Sequence, residues 1–219
     1  MSEEDVRPGR LILVPAVISV VVTLLRLTGE LLHWSPALFN PAAGGGGALV
    51  GISWLVPLFG AYFGVRLARA GRGPESVARG LGLVVLALAL APASGAAATA
   101  LGMDPQSLRM LLVFVVASVV AVPVAMLAWP ALGRTLLAYA FAARVPVVLV
   151  MLAAILGNWG THYDVPPPNF PEMGPLPRWL WIGLLPQMTI WIAFTVVIGG
   201  LFGIVAGAVA ARRRSAVPA

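Results

Sequence analysis

Residues 108–129 read LRMLLVFVVASVVAVPVAMLAW, and after Arg109 the stretch holds no charged side chain. Wound as a helix at about 1.5 Å per residue, some 20 such residues reach about 30 Å, the thickness of a bilayer's hydrocarbon core. A helix serving a soluble core keeps a polar face for water, and this one has none. Working outward, stretches of the same kind recur at 11–32, 48–69, 78–100, 135–157 and 179–206. The sequence therefore predicts an all-α, polytopic integral membrane protein, a bundle of about six kinked transmembrane helices.

Composition agrees. Of 219 residues, 60 % are hydrophobic and 10 % charged, against about 25 % charged in soluble domains. Mean hydropathy is +0.96. So few charges cannot cover a water-facing surface, which excludes a soluble globular domain, and such hydrophobicity excludes a disordered chain. There is no cysteine, hence no disulfide, thiolate metal site or cysteine nucleophile. The first apolar run continues through Arg26 without a small-residue cleavage site, so it reads as a retained helix rather than a signal peptide.

The formal charge of +6 comes from arginine alone among the basic residues. With residues 1–10 in the cytoplasm, the inner side holds Arg7, Arg10, Arg66, Arg69, Arg72, Arg79, Arg134, Arg212, Arg213 and Arg214, and the outer side Arg109 and Arg178. This asymmetry predicts an inner-membrane protein with both termini cytoplasmic and 211–219 as a basic tail. Trp34, Trp159, Trp179 and Trp181 gather toward the outer interface, where amphipathic rings prefer to lie. Anionic lipid headgroups at the inner face are the natural partner of these arginines, and nucleic acid is not expected.

The third span, rich in Ala and Gly in its second half, reads as buried among neighbours. Gly60 and Gly64 form one GxxxG pair; Gly199, Gly203 and Gly207 form a double register. At four-residue spacing these glycines share a helix face and permit close backbone approach, within one chain or toward a homo-oligomer or another membrane protein. Pro15, Pro57, Pro92, Pro123, Pro146 and Pro186 place one proline in every span, each predicting a kink.

Polar chemistry concentrates in three places. Arg26, Glu30 and His33 are spaced four and three apart, on one helical face near the outer end of the first span. A lone charge there is costly, so Arg26 and Glu30 are expected to pair. The outer loop 158–178 holds Asn158, His162, Asp164 and Glu172 beside VPPPNFP, which reads as a rigid cap. Glu30, His33, His162 and Asp164 are the candidate acid–base residues, and Arg26, Arg144 and Asn158 the candidate ligand-binding residues. Arg144 is a puzzle: no acidic residue lies at its depth, so carbonyls freed by Pro57, Pro92 or Pro123 are its expected acceptors. A rival reading starts the fifth span at Val145 and lays 131–143 along the surface. The loop 33–47 contains GGGG at 44–47 and reads as a connection.

There is no HExxH, GxSxG, Walker or dinucleotide motif, and no intramembrane aspartate pair. No metal and no cofactor are expected. Three function classes remain: an accessory or scaffold subunit, placed first on small size and Gly faces; a small-solute permease or channel-like bundle; and a membrane enzyme acting on a lipid or envelope precursor at the outer face. Convergence of His33 with His162 under the proline-rich loop is the expectation nearest to function.

Overall fold

The computed structural model describes residues 7–215, and of 213–215 only the backbone. Residues 1–6 of the N-terminal segment, and 216–219 with the side chains of Arg213 and Arg214 in the basic tail, lie outside the described residues. The chain is a multi-pass membrane helix bundle. Its helices are α1 Pro8–Leu31, α2 Leu55–Arg69, α3 Val77–Ala100, α4 Leu108–Ala128 and α5 Pro130–Gly157; a last crossing combines α6 (175–188) with α7 Ile190–Ser215. Five of these crossings are long and apolar enough to pass a membrane. The sixth, α2, has only 15 residues. Leu13, Val17, Val116, Val120 and Leu149 are exposed on the bundle's exterior, an arrangement that only a hydrocarbon solvent favours.

Several elements begin elsewhere than the apolar runs do. α2 starts at Leu55 rather than near 48, because Gly44–Gly47 and Gly51 leave the chain as loop until one 3₁₀ turn at Ile52–Trp54. Pro57 then falls in the first turn of α2 and kinks nothing, since its missing N–H would be unsatisfied there anyway. α5 starts at Pro130, with proline at its first position, so 131–143 is part of the spanning helix and Arg144 is mid-helix. Pro15, Pro92, Pro123 and Pro146 do lie inside helices. Pro186 follows a π-helical turn, Trp179–Leu184, and a break at Thr189 (φ −125°, ψ −72°) separates α6 from α7.

Local chemistry explains the boundaries. Ser76 and Ser107 cap α3 and α4 by accepting the backbone N–H of Arg79 and Met110. Trp129 alone connects α4 to α5; extended backbone reverses the chain, and its indole N–H donates to the Arg72 carbonyl at 2.7 Å. α5 ends on Asn158 in the left-handed conformation (φ 49°).

The glycine registers meet each other. A methyl on Gly60 would strike the Gly199 carbonyl, and one on Gly64 the Gly203 carbonyl; Gly207 faces Trp129 and the Gly64 carbonyl. α2 and α7 thus pack backbone to backbone, the closest approach two helices can make. Around this seam Phe63, Leu67, Val84, Leu132, Leu136, Tyr139, Val196 and Ile204 form the main core. It fills the half of the bundle toward the termini. The other half, under the loops, is packed differently, and the site lies there.

Candidate functional site

α1 brings the first pair. Arg26 Nε donates to Glu30 Oε1 at 2.8 Å across one helical turn. Both residues are buried, so the pair is useful only if its remaining donors and lone pairs are also met. They are met by two loops. Arg26 Nη2 donates to the carbonyls of Asn40 (3.1 Å) and Gly45 (3.0 Å). Glu30 Oε2 accepts the backbone N–H of His162 at 2.8 Å, and Oε1 lies 2.5 Å from His162 Nδ1. Gly45 is required twice over at this junction. Its φ is +70°, and a Cβ would come within 2.8 Å of the His162 ring and 3.1 Å of Arg26 Nη2.

The loop after α5 is stiffened from within. Asp164 accepts the backbone N–H groups of Gly160 (2.9 Å) and Thr161 (2.7 Å) and the Thr161 hydroxyl (2.7 Å). Tyr163 turns inward, is buried, and donates to the Thr23 carbonyl on α1 at 3.1 Å. Its burial raises its pKa. For His162 burial is the largest influence and lowers the pKa below 6.5; the bond from Glu30 pulls it up, and Arg26 pushes it down again. The net result favours neutral imidazole, with its Nδ1–H on the Glu30 carboxylate.

Arg144 lies deeper, the fifteenth of the 28 residues of α5, and is 4 % exposed. Its acceptor is a side chain, not a proline-freed carbonyl: Nη1 donates to Gln187 Oε1 at 3.3 Å. Its guanidinium carbon sits 4.7 Å from the centre of the Trp191 ring, a cation–π contact. Nε and Nη2 are buried and have no hydrogen-bond partner among the described residues. Gln187 is itself held near Met151, its amide nitrogen 3.8 Å from the sulfur. The π-helical turn and the break at Thr189 bracket Gln187; irregular turns of this sort re-aim side chains toward a site.

All of this borders one cavity of about 640 Å³, within the range that holds a drug-sized ligand. The cavity lies between α4 and α5, lined by Phe114 and Met110 from the first and by Arg144, Val147 and Met151 from the second. α1 contributes Thr23 and Arg26, the glycine run Gly44–Gly47 and Trp54 flank it, and Ile182, Gln187 and Trp191 close it. Its exposed lining residues are Gly44, Gly46, Gly47, Trp54, Pro105, Gln106, Pro167 and Pro168, so it opens at the loop end. Toward the termini, Tyr139 is packed in the main core, hydrogen-bonded to Ser19 at 2.8 Å and edge-on against Phe59 and Phe63.

The residues singled out from sequence fall into two groups. Arg26, Glu30 and His162 form one connected cluster, and Arg26, Arg144 and His162 border the cavity. His33 does not join them. It ends α1 in the left-handed conformation (φ 52°), exposed, and its side chain makes no hydrogen bond among the described residues, so Glu30 and not His33 meets His162. Asn158 is an exposed helix terminator, and Glu172 is exposed. Asp164 is a loop-closing acceptor. Among the described residues no three metal-ligating side chains converge. Sequence reasoning missed Gln187, Trp191, Gly45 and Tyr163. The signal for Gln187 was present, as an amide beside Pro186 within an otherwise apolar span.

Compared with protein-family models, curated proteins and solved structures, the chain matches none.

Proposed function

We propose that this protein is a small permease that binds an anionic solute inside the bundle. The observation that carries this reading is Arg144: a mid-helix guanidinium bordering a cavity, with two buried N–H groups and no acceptor. Among the described residues no acidic side chain borders that cavity, and Arg26 is already paired with Glu30, so its field is positive. A cation this deep in a membrane helix marks a solute pathway more often than a structural contact. The interrupted last crossing, with Gln187 between a π turn and a break, resembles how transporters bring polar groups to a midplane site. A cavity whose exposed residues all lie at the loop end, with the main core packed at the other end of the bundle, suits one state of alternating access.

The accessory role rested on Gly faces, and Gly60, Gly64, Gly199, Gly203 and Gly207 are engaged within the chain. The outer-face enzyme rested on acid–base residues, of which Glu30 and Asp164 are occupied by structural bonds. Both therefore have less support than transport. The arginine asymmetry supports an inner-membrane protein with cytoplasmic termini and anionic headgroups against the terminal end, so the cavity would open outward.

The test is flux. Octanesulfonate stays ionised and does not leak across lipid as a neutral acid. Proteoliposomes containing the protein should take up labelled octanesulfonate saturably, and those containing Arg144→Gln should not. Absence of saturable flux for any of a panel of labelled organic anions, from protein shown to be folded, would overturn the permease reading.

A further inference from the structure

The substrate's chemistry can be read from which nitrogens of Arg144 are free, an inference that rests on the anion-binding reading above. In a planar guanidinium, Nε–H and the adjacent Nη2–H lie along one edge and point the same way. Nη1 is the nitrogen that binds Gln187. Among the described residues the two nitrogens without an acceptor are Nε and Nη2, both buried beside the cavity, so an entire edge of the fork is unpaired. The Trp191 ring centre lies 4.7 Å from Cζ, and this contact together with the bond to Gln187 holds the guanidinium in place.

Such an edge matches two oxygens of one carboxylate or phosphate, held by parallel hydrogen bonds. A halide or a single carbonyl oxygen would have to be shared between both donors in bent, weaker bonds. The rest of the cavity has a different character. Phe114, Met110, Val147, Ile182 and Trp54 supply apolar wall between Arg144 and the loop-end opening. An inorganic oxyanion would satisfy the fork but leave most of the 640 Å³ unfilled; an apolar chain or ring attached to it would cover that wall.

We propose that the ligand is an organic oxyanion, a carboxylate or a phosphate monoester with an apolar body. Its head group takes the Nε/Nη2 edge of Arg144, and its body lies along the α4 wall toward the opening.

The experiment is calorimetric titration and thermal unfolding of the whole protein in lipid nanodiscs with five probes: acetate, inorganic phosphate, hexanoate, hexyl phosphate and hexyltrimethylammonium. The proposal expects hexanoate or hexyl phosphate to bind at least about tenfold tighter than acetate or inorganic phosphate. The tighter of the two identifies the head group. It also expects Arg144→Lys, which keeps the charge but not the fork, to lose about tenfold or more. Acetate or phosphate binding as tightly as the hexyl compound would overturn the organic body while leaving the anion reading standing. Hexyltrimethylammonium binding as well as the hexyl anions, or no anion binding at all, would overturn both. Undiminished binding by folded Arg144→Lys would overturn the fork. The wild-type probe series decides the ligand class even if that variant does not fold.

Discussion

Glu30 on α1 holds His162 twice, 132 positions later in the chain: through the backbone N–H at 2.8 Å and through the imidazole Nδ1 at 2.5 Å. One carboxylate thereby ties the first helix to the loop after the fifth, while its helical neighbour Arg26 ties the same point to the loop after the first. The roof of the cavity is fastened at this point.

That fastening predicts an asymmetry between variants. Glu30→Ala strands a buried guanidinium and frees the His162 loop, and should destabilise the fold by about 3–5 kcal/mol, as removal of one partner from a buried pair does. Replacing Arg26 and Glu30 together with apolar residues of similar volume should cost less, because no buried charge remains. Unfolding midpoints in the same detergent compare them; a double variant no more stable than Glu30→Ala would contradict the pair's role.

The His162 environment predicts a pH dependence. Its pKa is lowered in the folded protein, chiefly by burial, so the unfolded chain binds the proton more readily. The stability this contributes is present above pH about 6.5 and is lost as pH falls from there through the lower folded value. Thermal unfolding between pH 8 and 5 should show this decline, and His162→Gln should flatten it. A wild-type midpoint rising as pH falls through this window would reverse the sign.

Arg144 predicts a trade between stability and binding. Two buried donors without acceptors cost on the order of 1–3 kcal/mol each, a cost the ligand-free protein carries. Arg144→Leu should therefore raise the midpoint of the ligand-free protein while abolishing any shift on adding hexanoate or hexyl phosphate. A lower midpoint would indicate that the cation–π contact with Trp191 and the bond to Gln187 outweigh the unpaired donors.

The helix seam predicts a contrast between glycines. Gly64→Leu drives a side chain into the Gly203 backbone and should separate α2 from α7, at a cost of at least about 1–3 kcal/mol. Gly82→Ala, where a methyl meets nothing within 4 Å on α3, should be neutral or gain up to about 1 kcal/mol from helix propensity. Equal effects in both would argue against the seam.

Orientation can be read with single cysteines, since the chain has none of its own. Arg72 and Asn169 are both exposed, at opposite ends of the bundle. In intact cells an impermeant thiol reagent should label a cysteine at Asn169 and spare one at Arg72. The reverse pattern would invert the topology and place the cavity mouth on the cytoplasmic side.

The sequence by itself determined the class of protein and its local pairs. A hydrocarbon solvent imposes a one-dimensional rule, about 20 apolar residues per crossing, and a window along the chain can test it. The Arg26–Glu30 bond is similarly local, because four residues bring two side chains onto one helix face. Only the tertiary structure decided that Glu30 rather than His33 meets His162, and that Arg144 has Gln187 and Trp191 for neighbours. It also decided that Gly45 of the GGGG run accepts from a guanidinium, so that the run does more than link helices. Those contacts depend on how far α4 and α5 separate beyond Trp129 and on how a π turn rotates the last crossing. Apolar periodicity carries no record of either, because lipid-facing and cavity-facing positions are both apolar. The site exists because helices distant in sequence leave a cavity between them, with Arg144 and its unpaired donors on its border.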